Sequence, residues 1–228
     1  MSSAEMAELQ PLDERGWRAG LSPLMRAGYA AWWKTNDWWI QALLWTAVIN
    51  GSVAVAIWGD TPDDLDVFTL YGVMTMFAAI AVTIIMQEAI VGEKRSGTAA
   101  WVLSKPASRD AFMLAKLVPN AVGIVVTMIV VPSTVLLIQL VLADVEVSVP
   151  RFWLGAAGAA LNLLFDLTLT LMLGTLFDSA GPVIAIPLAF AFGQQLISGI
   201  PGLGDVLPWA LLVAPEGSDV SVIGAIIT

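Results

Sequence analysis

The stretch that decides the fold is residues 117–143, LVPNAVGIVVTMIVVPSTVLLIQLVLA, 27 residues without a charge. An α-helix needs roughly 20 apolar residues to cross a hydrocarbon core about 30 Å thick. Inside lipid every backbone N–H and C=O must be paired within the protein, so only helices and closed barrels cross. A barrel strand uses about ten residues, and a run this long excludes one. The segment reads as a membrane-spanning helix over about 111–141, longer than lipid requires, with its first turns projecting into water.

Working outward, the same signal repeats. Asp37 and Asp60 enclose 22 uncharged residues, Asp66 and Glu88 enclose 21, and Asp178 and Asp205 enclose 26. Between Arg151 and Asp178 only Asp166 interrupts the run. The chain is 58% hydrophobic and 13% charged, where a soluble domain carries about a quarter charged residues. The expected fold class is all-α, a polytopic transmembrane helical bundle over residues 36–228. Its five clear spans fall near 38–58, 67–91, 111–141, 152–177 and 182–200. Residues 201–219 are dense in Gly and Pro and fit an interfacial or re-entrant outer segment. Residues 220–228 are apolar but short, the start of a sixth span.

Residues 1–20 are polar and acidic and contain no signal-peptide apolar core; they read as a mobile cytoplasmic tail, with the first span serving as both targeting signal and anchor. Next comes LSPLMRAGYAAWWK. Ser22 followed by Pro23 predicts a helix start, a capping hydroxyl and then Pro in the first turn. Leu21, Leu24, Met25, Tyr29, Trp32 and Trp33 follow helical spacing, with Arg26 and Lys34 off that face. This is an amphipathic elbow helix over 21–35, lying in the interface with its aromatics at headgroup depth. Asn36-Asp37 provides a fresh cap, which separates it from span one.

Lys and Arg in short loops set orientation. Arg15, Arg18, Arg26 and Lys34 precede span one, and Lys94, Arg95, Lys105, Arg109 and Lys116 lie between spans two and three. Both regions sit on one side and hold nine of the ten basic residues, whereas the other side has Arg151 and many carboxylates. The expectation is a multi-pass protein of the cell (inner) membrane with a cytoplasmic amino terminus. The formal charge of −9 offers no footing for nucleic acid.

The chain has no histidine and no cysteine. Haem ligation by His, Cys-held iron–sulfur clusters, His/Cys zinc sites and a Ser-His intramembrane protease all lose their ligands or base. No paired acids lie within one span, so catalysis within the chain is not expected.

Residues 93–116, EKRSGTAAWVLSKPASRDAFMLAK, break the apolar pattern. Gly97-Thr98 ends the helix leaving the membrane, and Thr98 is the expected N-cap of a short new helix. Trp101, Val102 and Leu103 form an apolar knob, and Pro106 stops the turn by disfavouring helix at Lys105. Ser108 starts the next helix, with Arg109 and Asp110 in its first turn. An apolar knob among Arg95, Lys105 and Arg109 suits a protein docking surface. A basic loop held on anionic lipid has the same composition, so both readings stand on composition alone.

The segment resembles the signature of ABC-2 type transporter permeases, the membrane subunits of export-type ATP-binding-cassette systems. The matching elements are Glu93, Gly97-Thr98, the hydrophobic turn Trp101 to Leu103, Ser104, Pro106, Ser108-Arg109 and Lys116. Elsewhere the likeness is one of layout: an elbow helix, then six spans with a re-entrant outer segment before the sixth, of which only the beginning is present. The resemblance implies a coupling helix between spans two and three, seated in a cleft of a separate ABC ATPase subunit. Glu93, Gly97, Thr98, Trp101, Leu103, Ser104, Lys105, Pro106 and Arg109 would carry that contact. It implies a second permease copy or homologue as partner, membrane lipid around the bundle, and ATP and Mg bound by the ATPase and not by this chain, which has no phosphate-binding Gly-Lys-Ser/Thr loop.

Asp166 lies mid-span, with Asn162 and Thr170 one turn to either side. An ionisable group at that depth costs several kcal/mol unless paired or hydrated, which marks a functional site by default; structural glue between helices is the competing role. Asp166, Asn162 and Glu88 are the pathway candidates, Glu88 standing near the interface. Asn50 and Asn120 suit interhelical hydrogen bonds. The function expected is the permease subunit of an ABC exporter, with a non-transporting membrane anchor or accessory subunit as the alternative and a carboxylate-based enzyme resting on Asp166 behind both. No residue selects a cargo.

Overall fold

The computed structural model describes residues 16–59, 67–104, 107–145 and 147–197. The acidic segment 60–66, the re-entrant segment expected at 201–219, the partial span expected at 220–228 and residues 1–15 of the expected tail lie outside the described residues, as do Lys105 and Pro106. Among the described residues every regular element is helical. The chain runs α1 (Leu21–Trp33), α2 (Asp37–Trp58), α3 (Val67–Gln87), α4 (Thr98–Leu103), α5 (Arg109–Leu142), α6 (Val149–Leu176) and α7 (Ala180–Ile197). Beyond α3 the helix continues through a π segment, Glu88–Gly92, and the turn Glu93–Arg95.

Among the described residues, four helices are long and apolar enough to cross a membrane: α2, the stretch Met76–Arg95, α5 and α6. The span expected near 182–200 falls on α7, which is apolar over Ala180–Gly193. α6 starts at Val149, three residues before the expected 152, with Pro150 in its first turn where a missing N–H costs nothing.

α5 has 34 residues. At 1.5 Å per residue it is about 51 Å long, well beyond the hydrocarbon core. Its middle contains a π segment, Val125–Val130, for which Pro132 gives the reason. Pro132 lacks an N–H and its ring crowds the preceding turn, so the ladder slips by one residue. The Val131 N–H accordingly reaches Val126 O, five residues back. Pro132 O accepts from Asn50 Nδ2 of α2 at 3.1 Å, and Gln139 Nε2 donates back to Asn50 O at 3.3 Å. Asn50 thus makes the interhelical bond its sequence context suggested.

The core lies where α3 packs along α6, with α5 behind. Val82 and Met86 from α3, Ile124 and Met128 from α5, and Leu163 and Leu167 from α6 are fully buried there. Ala78, Ala79, Ala156 and Ala159 line the same seam. Small side chains permit the close backbone approach that drives helix association in lipid, where apolar burial alone gives little.

α1 is separate from α2, with the break at residues 34–36. Its start corrects the expectation at Ser22-Pro23. Gly20, left-handed at φ 77, turns the chain into a helix beginning at Leu21, so Ser22 and Pro23 lie inside the first turn. Asn36 precedes α2 but makes no side-chain cap; the Thr35 hydroxyl accepts from the Asp37 N–H at 3.4 Å instead. Trp32 faces the bundle. It is buried against α5, its indole resting over Gly123, where any Cβ would collide with the ring. Trp32 Nε1 donates to Asn120 Oδ1 at 2.9 Å.

Residues 16–20 correct the free-tail expectation. Gly16–Arg18 forms a 3-10 turn held by Ser108, whose N–H donates to Ala19 O at 2.9 Å and whose hydroxyl donates to Trp17 O. Two backbone carbonyls without helical partners here find donors at the start of α5.

Candidate functional site

The loop between α3 and α5 is built from turns that the sequence marks and contacts that it does not. Gly97 sits at φ 76, ψ 0 with its N–H on Lys94 O at 3.2 Å. A Cβ disfavours that left-handed conformation, so glycine reverses the chain at low cost. This corrects Thr98 as N-cap: Gly97 holds the cap position without a side-chain bond, and Thr98 is the first residue of α4. The Thr98 hydroxyl instead shares a 2.9 Å hydrogen bond with Ser96 Oγ, which lies 3.2 Å from Glu93 O.

α4 is six residues long and carries positions 101 and 103. Its last turn closes with Ser104 N–H on Ala100 O at 3.0 Å. Ser108 then caps α5 as its position predicted, accepting from the Ala111 N–H at 3.0 Å. Arg109 and Asp110 are exposed in that first turn.

Glu93 and Lys116 close the base of this loop as an ion pair. Their side chains are 27% and 22% exposed, so water screens the pair only in part. Lys116 Nζ also stands 5.7 Å from the Phe112 ring. Asn120 Nδ2 donates to Lys116 O at 2.7 Å and takes the Trp32 indole N–H on its oxygen. A continuous set of bonds therefore joins α1, the start of α5 and the end of the α3 extension.

Lys94 makes contacts that sequence reasoning missed. Its ammonium donates to Thr175 O at 3.1 Å, Phe177 O at 3.4 Å and Asp178 Oδ1 at 3.0 Å, all at the end of α6. Those groups are more than 80 residues away in the chain. The one available signal was the alternation of spans, by which residues 178–181, between spans four and five, are expected on the same side as the loop.

Inside the bundle, Asn162, Asp166 and Thr170 share the buried face of α6, at 4%, 3% and 0% exposure. Thr170 Oγ1 donates to Asp166 O at 2.7 Å. Among the described residues the Asp166 carboxylate forms no hydrogen bond or ion pair, and Asn162 Nδ2 is buried without a partner. Glu88 stands apart from this pair. It is exposed on the π segment after α3, its carboxylate folded against Gly92. That segment meets α6 where Ile90 packs onto Gly174, two turns or roughly 12 Å from Asp166. Asn162 and Asp166 are brought together, and Glu88 lies at a different depth.

Membrane-length helices with a short helix between the second and third are the architecture of a multi-pass helical membrane protein. The family model for ABC-2 family transporter protein matches residues 4–208, and the chain belongs to that family. It is accordingly a membrane permease of the ATP-binding-cassette transporters, a class that associates with an ABC ATPase. Comparison with individually curated proteins gives no match.

Proposed function

We propose that this chain is the membrane subunit of an ABC exporter, residing in the inner membrane with its amino terminus and the 93–116 loop in the cytoplasm. α4 is the coupling helix. It docks in a cleft of a separate ATPase subunit that binds ATP and Mg, and the working unit pairs two permease copies with two ATPases. The observation that carries this reading is the closed base of the loop: the Glu93–Lys116 pair ties the root of a six-residue helix to both the α3 extension and α5, so a push on the helix would be passed to both. ATP binding then favours whichever packing of the bundle lets the ATPases close. Asn162 and Asp166 supply a polar position on the path within the membrane, while Glu88 belongs to its loop-side rim.

The test is purification of the complex in lipid. An ATPase should accompany the chain, and Trp101→Ala with Leu103→Ala should release it or leave its hydrolysis independent of the permease. A double variant that assembles and transports normally would rule out the docking role. A chain that never recruits an ATPase and stays monomeric would be an anchor or accessory subunit instead.

A further inference from the structure

We infer that Lys94 is a positioning residue that carries movement of the loop into α6; the inference rests on the coupling role proposed above for α4. Glu93 and Lys94 are adjacent, yet their side chains grip different helices. Glu93 holds Lys116 of α5, and Lys94 holds the end of α6. The pair is a two-armed joint at the root of the coupling helix.

The α6 arm is a helix-capping contact more than an ion pair. The last carbonyls of a helix lack intrahelical donors and carry partial negative charge, and a lysine ammonium satisfies both needs. Lys94 reaches two such carbonyls, Thr175 O and Phe177 O. Its third partner, Asp178, is 93% exposed, and exposed pairs contribute little. Packing reinforces the same joint. Ile90 sits on Gly174, and Val91 clusters with Leu173 and with Val183 of α7. A push on α4 that displaces Lys94 therefore displaces the end of α6 with it. α6 is one uninterrupted helix of 28 residues, so that displacement reaches the level of Asn162 and Asp166.

The chain has no cysteine, so an introduced pair gives unique label sites. Ala31→Cys on α1 and Leu161→Cys on α6, beside Asn162, are exposed positions outside the joint. Spin labels there report the distance in the ATPase complex without nucleotide and with ATP and vanadate. The otherwise unchanged chain should show a nucleotide-dependent distance shift. Lys94→Met, which keeps the apolar stem, should recruit the ATPase but lose the shift. Lys94→Arg should restore it, and Asp178→Asn should leave it intact. A full shift in Lys94→Met overturns the inference while leaving the coupling role of α4 standing; absence of any ATPase in the unchanged chain removes both. In the isolated chain, Lys94→Met should speed amide exchange over residues 175–181 by about five- to tenfold, as expected for one lost charge-assisted contact. Unchanged exchange there would show that the joint does not hold α6 and would equally overturn the inference.

Discussion

Glu93 and Lys116 pair across the mouth of the loop, 23 residues apart in the chain, and close the bracket from which α4 hangs. The pair is asymmetric. Lys116 engages Glu93 Oε1, while Glu93 Oε2 is buried with no partner among the described residues. Removing the lysine strands a whole carboxylate in a half-dry site, whereas neutralising the glutamate leaves an ammonium beside the Phe112 ring. Lys116→Met should therefore cost more stability than Glu93→Gln, about 2–3 against about 1 kcal/mol, between the exposed and buried limits for ion pairs. Thermal or denaturant unfolding of both single variants and the double variant checks this. The double should cost less than the sum.

Gly97 lies in the left-handed region, and no atom of the described residues stands within 4 Å of where a Cβ would be. The cost of a side chain there is purely conformational. Gly97→Ala should destabilise the turn by about 1 kcal/mol, and Gly97→Asn by less, since Asn tolerates this region. Under the proposed coupling role, ATPase affinity should fall in the same order. Titrating purified ATPase onto each variant in lipid vesicles measures it; equal affinities would show that the turn does not set the presentation of α4.

The helical runs were legible because lipid forces a local rule, that every backbone group be paired within its own segment, and charge-free length reports it directly. Ser108 was legible for a similar reason, since an N-cap is decided within three residues. Thr98 and Ser22 looked equally good by that rule and failed. In each case a preceding glycine with positive φ had already turned the chain, so the hydroxyl arrived one or two residues late. The candidate site divides the same way. The loop is marked by its Gly, Pro and charges, and its base by the Glu93 and Lys116 that carry the family resemblance. The grip of Lys94 on Thr175 and Phe177 is made to backbone carbonyls, which have no sequence signature at all. The packing of Trp32 was not legible because an outward-facing tryptophan and one packed on a glycine share the same helical spacing; its partner, Gly123, lies 91 residues on.

That contact gives a third expectation. The Trp32 indole occupies the space of a Cβ at position 123, and its N–H is bonded to Asn120. Gly123→Ala must push the ring outward and strain or break that bond, at a cost of about 1–3 kcal/mol for overpacking. Trp32→Phe keeps most of the apolar contact and loses the hydrogen bond, costing about 1 kcal/mol. Tryptophan fluorescence is crowded in this chain, so accessibility of a cysteine introduced at the half-buried Ala30 position of α1 is the cleaner readout. Gly123→Ala should raise its labelling rate well above that in Trp32→Phe.

Asp166 separates a structural from a functional role. Its carboxylate makes no hydrogen bond or ion pair among the described residues, and the bond from Thr170 goes to its backbone carbonyl, which any residue retains. Burying such a group at membrane depth costs several kcal/mol, with no visible bond in return. Asp166→Leu should therefore unfold no more easily than the natural chain, and Asp166→Asn should match it closely. If Asp166 lies on the path, both variants should still recruit the ATPase while changing how strongly the permease stimulates its hydrolysis, with Asp166→Leu the more impaired. Unfolding midpoints and ATPase rates of the same vesicle preparations decide the matter. A clear drop in midpoint in both variants with unaltered stimulation would make Asp166 an interhelical bond donor or acceptor and remove it from the path.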